Sequence, residues 1–359
     1  MGAMNNTTHS HANPALESAA SADALVPAGT AGPDAAASVA IDSANDRAVT
    51  ALNAASNGGS PARSRENAIA QRIGSPRHVD ADIVIPVYNE QEQLAASVTT
   101  LMNHLQAGRQ KIWSYTWNIV IADNASTDAT WSIAERLCAS HPGAVRAVRI
   151  PAKGRGRALK LTWGESQARV VAYMDVDLST DIAQTDELLG ALLYGGADVS
   201  IGCRLFDESQ VVRSAKREII SRTYNTLLHV ALGAAFHDAQ CGFKAMTSEA
   251  ARHLLPFIED NEWFFDTEML LLAQATGMRI WEFPVRWVED AGTTVNIPDT
   301  VRKDLAGMWR MRHTLALMRA RNESAAQSTG PDATAPARTA STPSGAPGKT
   351  GPAAAAATA

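Results

Sequence analysis

Asp175 and Asp177 stand one residue apart at the end of an apolar run, in the segment VVAYMDVDLSTD (170–181). On an extended strand residues i and i+2 point the same way, so the spacing predicts two carboxylates presented to one side. Like charges that close raise a pKa unless something neutralises them. A hard divalent cation shared with a diphosphate does this, because Mg²⁺ takes one or two carboxylates and fills its shell from substrate phosphates. The competing assignment is a solvated loop after a strand, since two aspartates at this spacing are common.

Three further clusters carry chemistry. In PAKGRGRALK (151–160) two glycines allow close backbone approach ahead of a predicted helix, whose first N–H groups would face the turn. With Lys153, Arg155 and Arg157 the turn suits a diphosphate or a nucleotide edge; a basic turn that merely caps a helix fits equally well. The pattern is not GxGxxG, and no acidic ribose partner sits at the right distance, which argues against a dinucleotide site. In ADNASTDAT (122–130) Ser126, Thr127 and Asp128 read as helix-capping residues, while Asp123, just before the turn, reads as a ligand hydrogen-bonding group. Further on, Arg204, Arg213, Lys216, Arg217 and Arg222 lead into an apolar stretch, with Arg217 and Ser221 four apart and so on one helix face. Cations beside an apolar helix suit a ligand with an anionic head and an apolar tail; a core helix with snorkelling arginines is the alternative.

The elements that must hold these groups alternate. Apolar, β-branched runs at 82–87, 117–122, AVRAVRI (144–150), RVVAYMDVD (169–177) and ADVSIGCR (197–204) predict strands. Segments of helical period fall between them, among them one at about 156 to 168. Strand and helix in alternation predict a mainly parallel sheet with helices on both faces, and ligands in such sheets bind at the carboxyl ends of the strands. Tyr88 to Glu90, Asp123, Lys153 to Arg157 and the aspartate pair all fall at that end.

Of the 359 residues, all eight Trp, five Tyr and three Cys lie between about 79 and 322. Residues 1–78 and 323–359 are rich in small and polar residues and are expected to be disordered tails around one domain, 79–322. The net charge of −5 gives no indication of nucleic-acid binding. Three scattered cysteines without CxxC suit a reducing compartment. Neither a secretory signal nor a run of about 18 apolar residues is evident, so a cytoplasmic protein, peripheral at most on the membrane, is expected. Residues 301–321 carry six Lys or Arg against Asp304, with Leu305, Met308, Trp309, Leu315 and Met318 near one side. They predict either an amphipathic helix on anionic lipid or a helix packed on the sheet with a basic outer face.

PVYNE (86–90), DNASTD (123–128), GRGRA (154–158), DVDLSTD (175–181), GCR (202–204), DAQCGFK (238–244) and WFFDTEMLLLA (263–273), in this order, resemble glycosyltransferase family 2. The resemblance covers about 80 to 315 and is strongest to the dolichyl-phosphate or polyprenyl-phosphate glucosyltransferase branch. It implies a GT-A nucleotide-diphosphosugar transferase fold and inverting transfer of a hexose, with glucose favoured, to a polyprenyl phosphate. The implied donor is UDP-glucose, with GDP-mannose as the alternative, and the implied cofactor is Mg²⁺ or Mn²⁺. By the same resemblance Pro86, Tyr88, Glu90, Asp123 and Arg155 bind the donor, and Asp175 and Asp177 hold the metal and the diphosphate. Arg204, Arg217 and Ser221 match acceptor-phosphate positions, Gln240 and Lys244 line the sugar pocket, and Asp177, Asp238 and Asp266 stand at the reacting centre. The sequence departs from the family pattern at Ala152, Asn124 and Arg155, and a Gly-Ser-Lys element reads Gly292-Thr293-Thr294. Two other readings stay open: transfer to a glycan or small-molecule hydroxyl, with Asp266 as base, and a non-catalytic nucleotide-sugar-binding scaffold.

Overall fold

The computed structural model describes residues 68–107, 114–289 and 297–328. Most of the expected tails, 1–67 and 329–359, lies outside these residues, as does the Gly292-Thr293-Thr294 element. Order begins earlier and ends later than composition indicated. A short edge strand, β1 (Gln71–Ile73), pairs with the sheet, and the last helix runs to Ser328.

Four strands form the parallel half of the sheet: β2 (Ala81–Val87), β3 (Trp117–Asn124), β4 (Val145–Ile150) and β5 (Val170–Met174). Then come β6 (Val199–Cys203), β7 (Gln210–Val212), β8 (Phe243–Thr247), β9 (Ile280–Pro284) and β10 (Arg286–Val288). The spatial order of the main sheet is β1-β4-β3-β2-β5-β8-β6-β9, and β7 pairs with β10 in a separate ribbon. Strand β8 runs antiparallel to both its neighbours, β5 and β6. Sequence reasoning missed it because Lys244 and the polar approach DAQCG hide a five-residue strand.

The helices are α1 (Leu94–Ala107), α2 (Thr130–Ser140), α3 (Arg155–Gly164), α4 (Thr185–Leu193), α5 (Ala215–Leu232), α6 (Ser248–Leu254), α7 (Phe265–Ala275) and α8 (Ile297–Ser328). They cover both faces of the sheet. Alternate residues of β2 show why: Ile83 and Ile85 pack with α1, α2 and α4, while Val84 packs with the layer of α3, α5, α6, α7 and α8. A strand buried on both sides must be apolar at every position, and all of β2 except Pro86 is buried. Its one charged residue, Asp82, is neutralised by Arg146 at 3.0 Å.

Helix α8 packs on the domain through one set of its apolar residues and leaves another set exposed. Met308, Met311, Leu315 and Met318 enter the core, and Gly307 lies so close to the Phe264 ring that a Cβ there would sit 2.4 Å from it. Leu305 and Trp309 remain exposed. The apolar residues expected on one side are thus divided between core and solvent. Asp304 is buried on the inner face, and burial together with the nearby Asp260 carboxylate pushes its pKa up to about 7. Its folded-state pKa lies above the unfolded value, so its contribution to stability is fully present below pH 4 and is lost as pH rises through 7. Asp304→Asn is expected to raise the thermal midpoint at pH 8 by several degrees and to leave it unchanged near pH 4. Melting curves across that range check this.

Candidate active site

The carboxyl ends of β2, β3, β4 and β5 form one rim, as expected. The end of β6, the end of β9 and the start of the reversed β8 add to it.

At the β2–β3 side the loops are tied to one another. Asn124 Nδ2 donates to the Val87 carbonyl, and Asn124 Oδ1 accepts from Gly154 N–H. The backbone N–H of Asn89 donates to Ser126 Oγ, and that of Glu90 to Thr130 Oγ1. Asn89 sits at φ 58°, a left-handed conformation that asparagine tolerates better than most side chains. Pro86, Tyr88 and Glu90 are half-buried here, and Asp123 is buried, accepting from Ser126 N–H and paired with Arg149 at 3.3 Å. Lys153 Nζ lies 3.7 Å from the centre of the Tyr88 ring.

The glycine-rich turn does something other than expected. Gly156 N–H donates to the Glu262 carbonyl and Arg157 N–H to the Asn261 carbonyl, so the first turn of α3 is satisfied within the protein. A Cβ on Gly154 would sit 2.4 Å from Asn261 O, and one on Gly156 2.5 Å from Phe265 Cβ. The glycines therefore admit the segment leading into α7, and these N–H groups are not a cradle for diphosphate.

Arg155 turns inward and organises the centre. Its Nη1 donates to Asp266 Oδ2 at 2.6 Å and its Nη2 to Asp175 Oδ1 at 3.1 Å. The guanidinium lies over the rings of Tyr173 and Trp263, at 4.6 and 5.2 Å from their centres. Tyr173 OH donates to Asp266 Oδ1 at 2.5 Å, and Lys244 Nζ stands 3.4 Å from the same oxygen and 3.2 Å from the tyrosine hydroxyl. Lys244 also donates to the Cys241 carbonyl. Burial alone would raise the pKa of Asp266, but Lys244 and Arg155, with the Tyr173 hydroxyl, hold it below the usual carboxylate range. A carboxylate so stabilised is a weak base.

Asp175 and Asp177 do not lie on an extended strand. Strand β5 ends at Met174, and Leu178 N–H donates to the Asp175 carbonyl in a turn with Leu178 at φ 50°. The i, i+2 argument for a shared side therefore fails, although both residues reach the rim. The Asp175 carboxylate leans on Gly242, where a Cβ would sit 1.7 Å from Oδ2. Its side chain is 43% exposed. Asp177, half-buried, accepts from Ser179 N–H at 2.9 Å. No group of three or more His, Cys, Asp or Glu side chains positioned for a metal exists among the described residues. Two oxygen-donor carboxylates still fit a hard divalent ion whose other ligands are substrate phosphates and water.

Asp238 and Arg204 pair with each other. Arg204 Nε and Nη2 donate to Asp238 Oδ2 and Oδ1 at 2.8 and 2.9 Å, and Arg204 N–H adds a third bond at 3.0 Å. Burial opposes ionisation of Asp238, but Arg204 outweighs it and brings the pKa down to about 2. The expected acceptor arginine thus has two of its three guanidinium nitrogens occupied, and Asp238 is an anchor for that arginine. Gln240 is exposed beside this pair, its N–H donating to Asp238.

Arg217 and Ser221 lie on the first half of α5. Arg217 pairs with Glu289 at 2.8 Å, and the buried Ser221 hydroxyl has no hydrogen-bond partner among the described residues. Asn225, one turn on, accepts from Ala239 N–H and so docks α5 against the segment before β8. Tyr173, Trp263 and Gly242 were not among the expected site residues. Tyr173 had a signal, lying two residues before Asp175, but within an apolar strand it reads as core.

Comparison with known proteins places these motifs in context. The model of the family described as "Glycosyl transferase family 2" matches residues 82–255. "Glycosyltransferase AglD" of Haloferax volcanii is 35% identical over 234 residues, covering 64% of this chain and 36% of that relative, so the chain spans about a third of its length. The dolichyl-phosphate beta-glucosyltransferase of Homo sapiens is 26% identical over 253 residues, covering 65% and 78%. A crystal structure of Mycobacterium tuberculosis glucosyl-3-phosphoglycerate synthase with uridine diphosphate is 18% identical, with a TM-score of 0.49 over 66% of this chain and 80% of that one. Another, with Mg²⁺ and uridine diphosphate, has a TM-score of 0.48 at 17% identity, covering 72% and 85%.

Proposed function

We propose, on the premise that this chain is a glycosyltransferase of family 2 through residues 82–255, that it moves a glucosyl group from UDP-glucose to a polyprenyl phosphate of the dolichyl type. The observation that carries the reading is the charge state of the rim. Asp238 and Asp266, two of its buried carboxylates, are ion-paired, the first with Arg204 and the second with Arg155 and Lys244, which holds both below the usual carboxylate range and makes them poor bases. A hydroxyl acceptor needs a base to take its proton. A phosphate monoester, with a second pKa of about 6, is already largely dianionic and does not. The name of the Homo sapiens relative supports the same donor sugar and acceptor.

In this reading Pro86, Tyr88, Glu90 and Asp123 hold the nucleoside. Asp175 and Asp177 hold a divalent cation, Mg²⁺ or Mn²⁺, which when bound neutralises charge on the departing diphosphate. Arg155 adds a fixed positive group beside Asp175 and needs no reorganisation during transfer. Lys244 and Gln240 flank the sugar, and Asp266 and Asp238 act by fixing Arg155, Lys244 and Arg204. The acceptor phosphate is received by Arg217 and Ser221, with what remains open on Arg204. The acceptor's apolar tail has a surface nearby. Helix α5 leaves Ile219, Leu227 and Val230 exposed, and α8, which packs against α5, leaves Leu305 and Trp309 exposed; both helices also carry exposed cations, Lys216 and Arg222 on the first, Arg302 and Arg312 on the second. No described helix is long and apolar enough to cross a membrane, so the contact proposed is peripheral.

The test supplies labelled UDP-glucose or GDP-mannose, Mg²⁺ or Mn²⁺, and a short polyprenyl phosphate. Organic-extractable glucosyl label is expected. Mannosyl label alone overturns the donor, label in a water-soluble glycan overturns the acceptor, and binding without turnover overturns the enzyme. Arg217→Glu is expected to raise the KM for polyprenyl phosphate at least about tenfold and leave the donor KM unchanged. Initial rates with each substrate varied in turn check this.

A further inference from the structure

A cavity of about 380 Å³ lies away from the rim, on the outer side of α3. Arg157, Lys160 and Arg252 line it together with Leu161, Leu255 and Pro256. Among the described residues no carboxylate contributes to its wall. Its volume is in the range of small-molecule sites, which combine apolar walls with a few convergent polar groups.

The cations are more than surface decoration. Lys160 is half-buried and reaches under the 255–259 segment, donating to the Ile258 carbonyl at 3.0 Å and the Glu259 carbonyl at 3.3 Å. Neither Lys160 nor Arg252 makes an ion pair among the described residues. Burial lowers the Lys160 pKa to about 8, outweighing the more distant Glu268 and Asp260 carboxylates, while Arg157 and Arg310 add repulsion. Glu268 is itself engaged by Arg310 at 2.8 Å and by the N–H groups of Glu259 and Asp260. Lys160 and Arg252 thus bring positive charge to a cavity whose lining holds no carboxylate, a local field that attracts an anion.

We propose that this cavity binds a small phosphorylated anion, a phosphate or diphosphate ester, at a site separate from the transfer centre. Arg157 and Lys160 come from α3, Arg252 from α6, and Leu255 and Pro256 from the turn between α6 and α7, so such a ligand clamps three elements. Two of them also build the centre: α3 carries Arg155, and the segment after Pro256 supplies the Asn261 and Glu262 carbonyls that fix its first turn. The ligand therefore braces the helix that aims Arg155.

Equilibrium dialysis of the full chain with labelled pyrophosphate, in excess EDTA, tests this without reference to transfer activity. One saturable site is expected, undisturbed by UDP, and weakened at least about tenfold in Arg252→Glu and in Lys160→Gln. Arg252 is exposed on α6, so its variant is expected to melt with the wild type. Absence of saturable binding, equal binding in Arg252→Glu, or displacement by UDP overturns the proposal. Capture by vesicles containing phosphatidic acid that needs Arg252, without pyrophosphate binding, moves the ligand to a lipid headgroup and overturns the soluble assignment.

Discussion

Asp177→Ala is expected to lower glucosyl transfer by about 10³-fold while changing the thermal midpoint little. In the protein its carboxylate receives a hydrogen bond from Ser179 N–H. That bond stabilises one turn by about 1 kcal/mol. Its proposed role on the diphosphate is far larger, because charge on the leaving group must be met as the glycosidic bond breaks. The loss therefore belongs in the turnover number, measured with saturating UDP-glucose, and not in folding. Asp175→Ala separates the two effects less cleanly, since it also releases Arg155 and empties the space over Gly242. Undiminished transfer by Asp177→Ala in the presence of a chelator would sink the metal assignment.

Asp266→Asn has the largest expected effect on the protein itself. The substitution leaves Arg155 and Lys244, both almost fully buried at this point, without the anion between them. Breaking a buried pair in this way costs about 3–5 kcal/mol, measurable as a lower midpoint in urea. The sign with pH is set by the depressed pKa. The folded-state value lies below the unfolded one, so Asp266 contributes its stability above the unfolded pKa and loses it as pH falls through the folded one. The variant is expected to lose the corresponding part of the wild type's acid sensitivity. Transfer falls as well, since Arg155 then retains only Asp175 as a partner. A variant as stable as the wild type would show that the cluster is not the support described.

Much of this was legible in the amino-acid sequence, for a physical reason. Parallel strands buried on both faces must be continuously apolar, so β2, β3 and β5 announce themselves, and polar residues clustered after such runs can only lie at one rim. The pairing of the charges was less legible. Asp238 and Arg204 are 34 residues apart in sequence, and nothing in their spacing reveals the bidentate pair that joins them. Gly154 and Gly156 allow a close approach, as glycines do, but whether phosphate or protein comes close depends on where α7 begins. The core-facing and exposed residues of α8 are interleaved on one helix, so periodicity alone could not divide Met308 from Trp309. The turn that follows the strand's end at Met174 closes at Leu178 in a left-handed conformation, at a residue type that gives no warning of it.

The reversal of β8 has a topological consequence. In a sheet whose strands all run one way, only departing chain reaches the working edge, and each strand can lend it no more than the loop that leaves its end. Turning one strand around lets arriving chain contribute too. Asp238, Gln240 and Gly242 precede β8 and meet Asp175 and Arg204 only because of that inversion. Run forward, the same five residues would deliver them to the far edge, roughly 16 Å away, where Arg146 holds Asp82 and no transfer chemistry gathers.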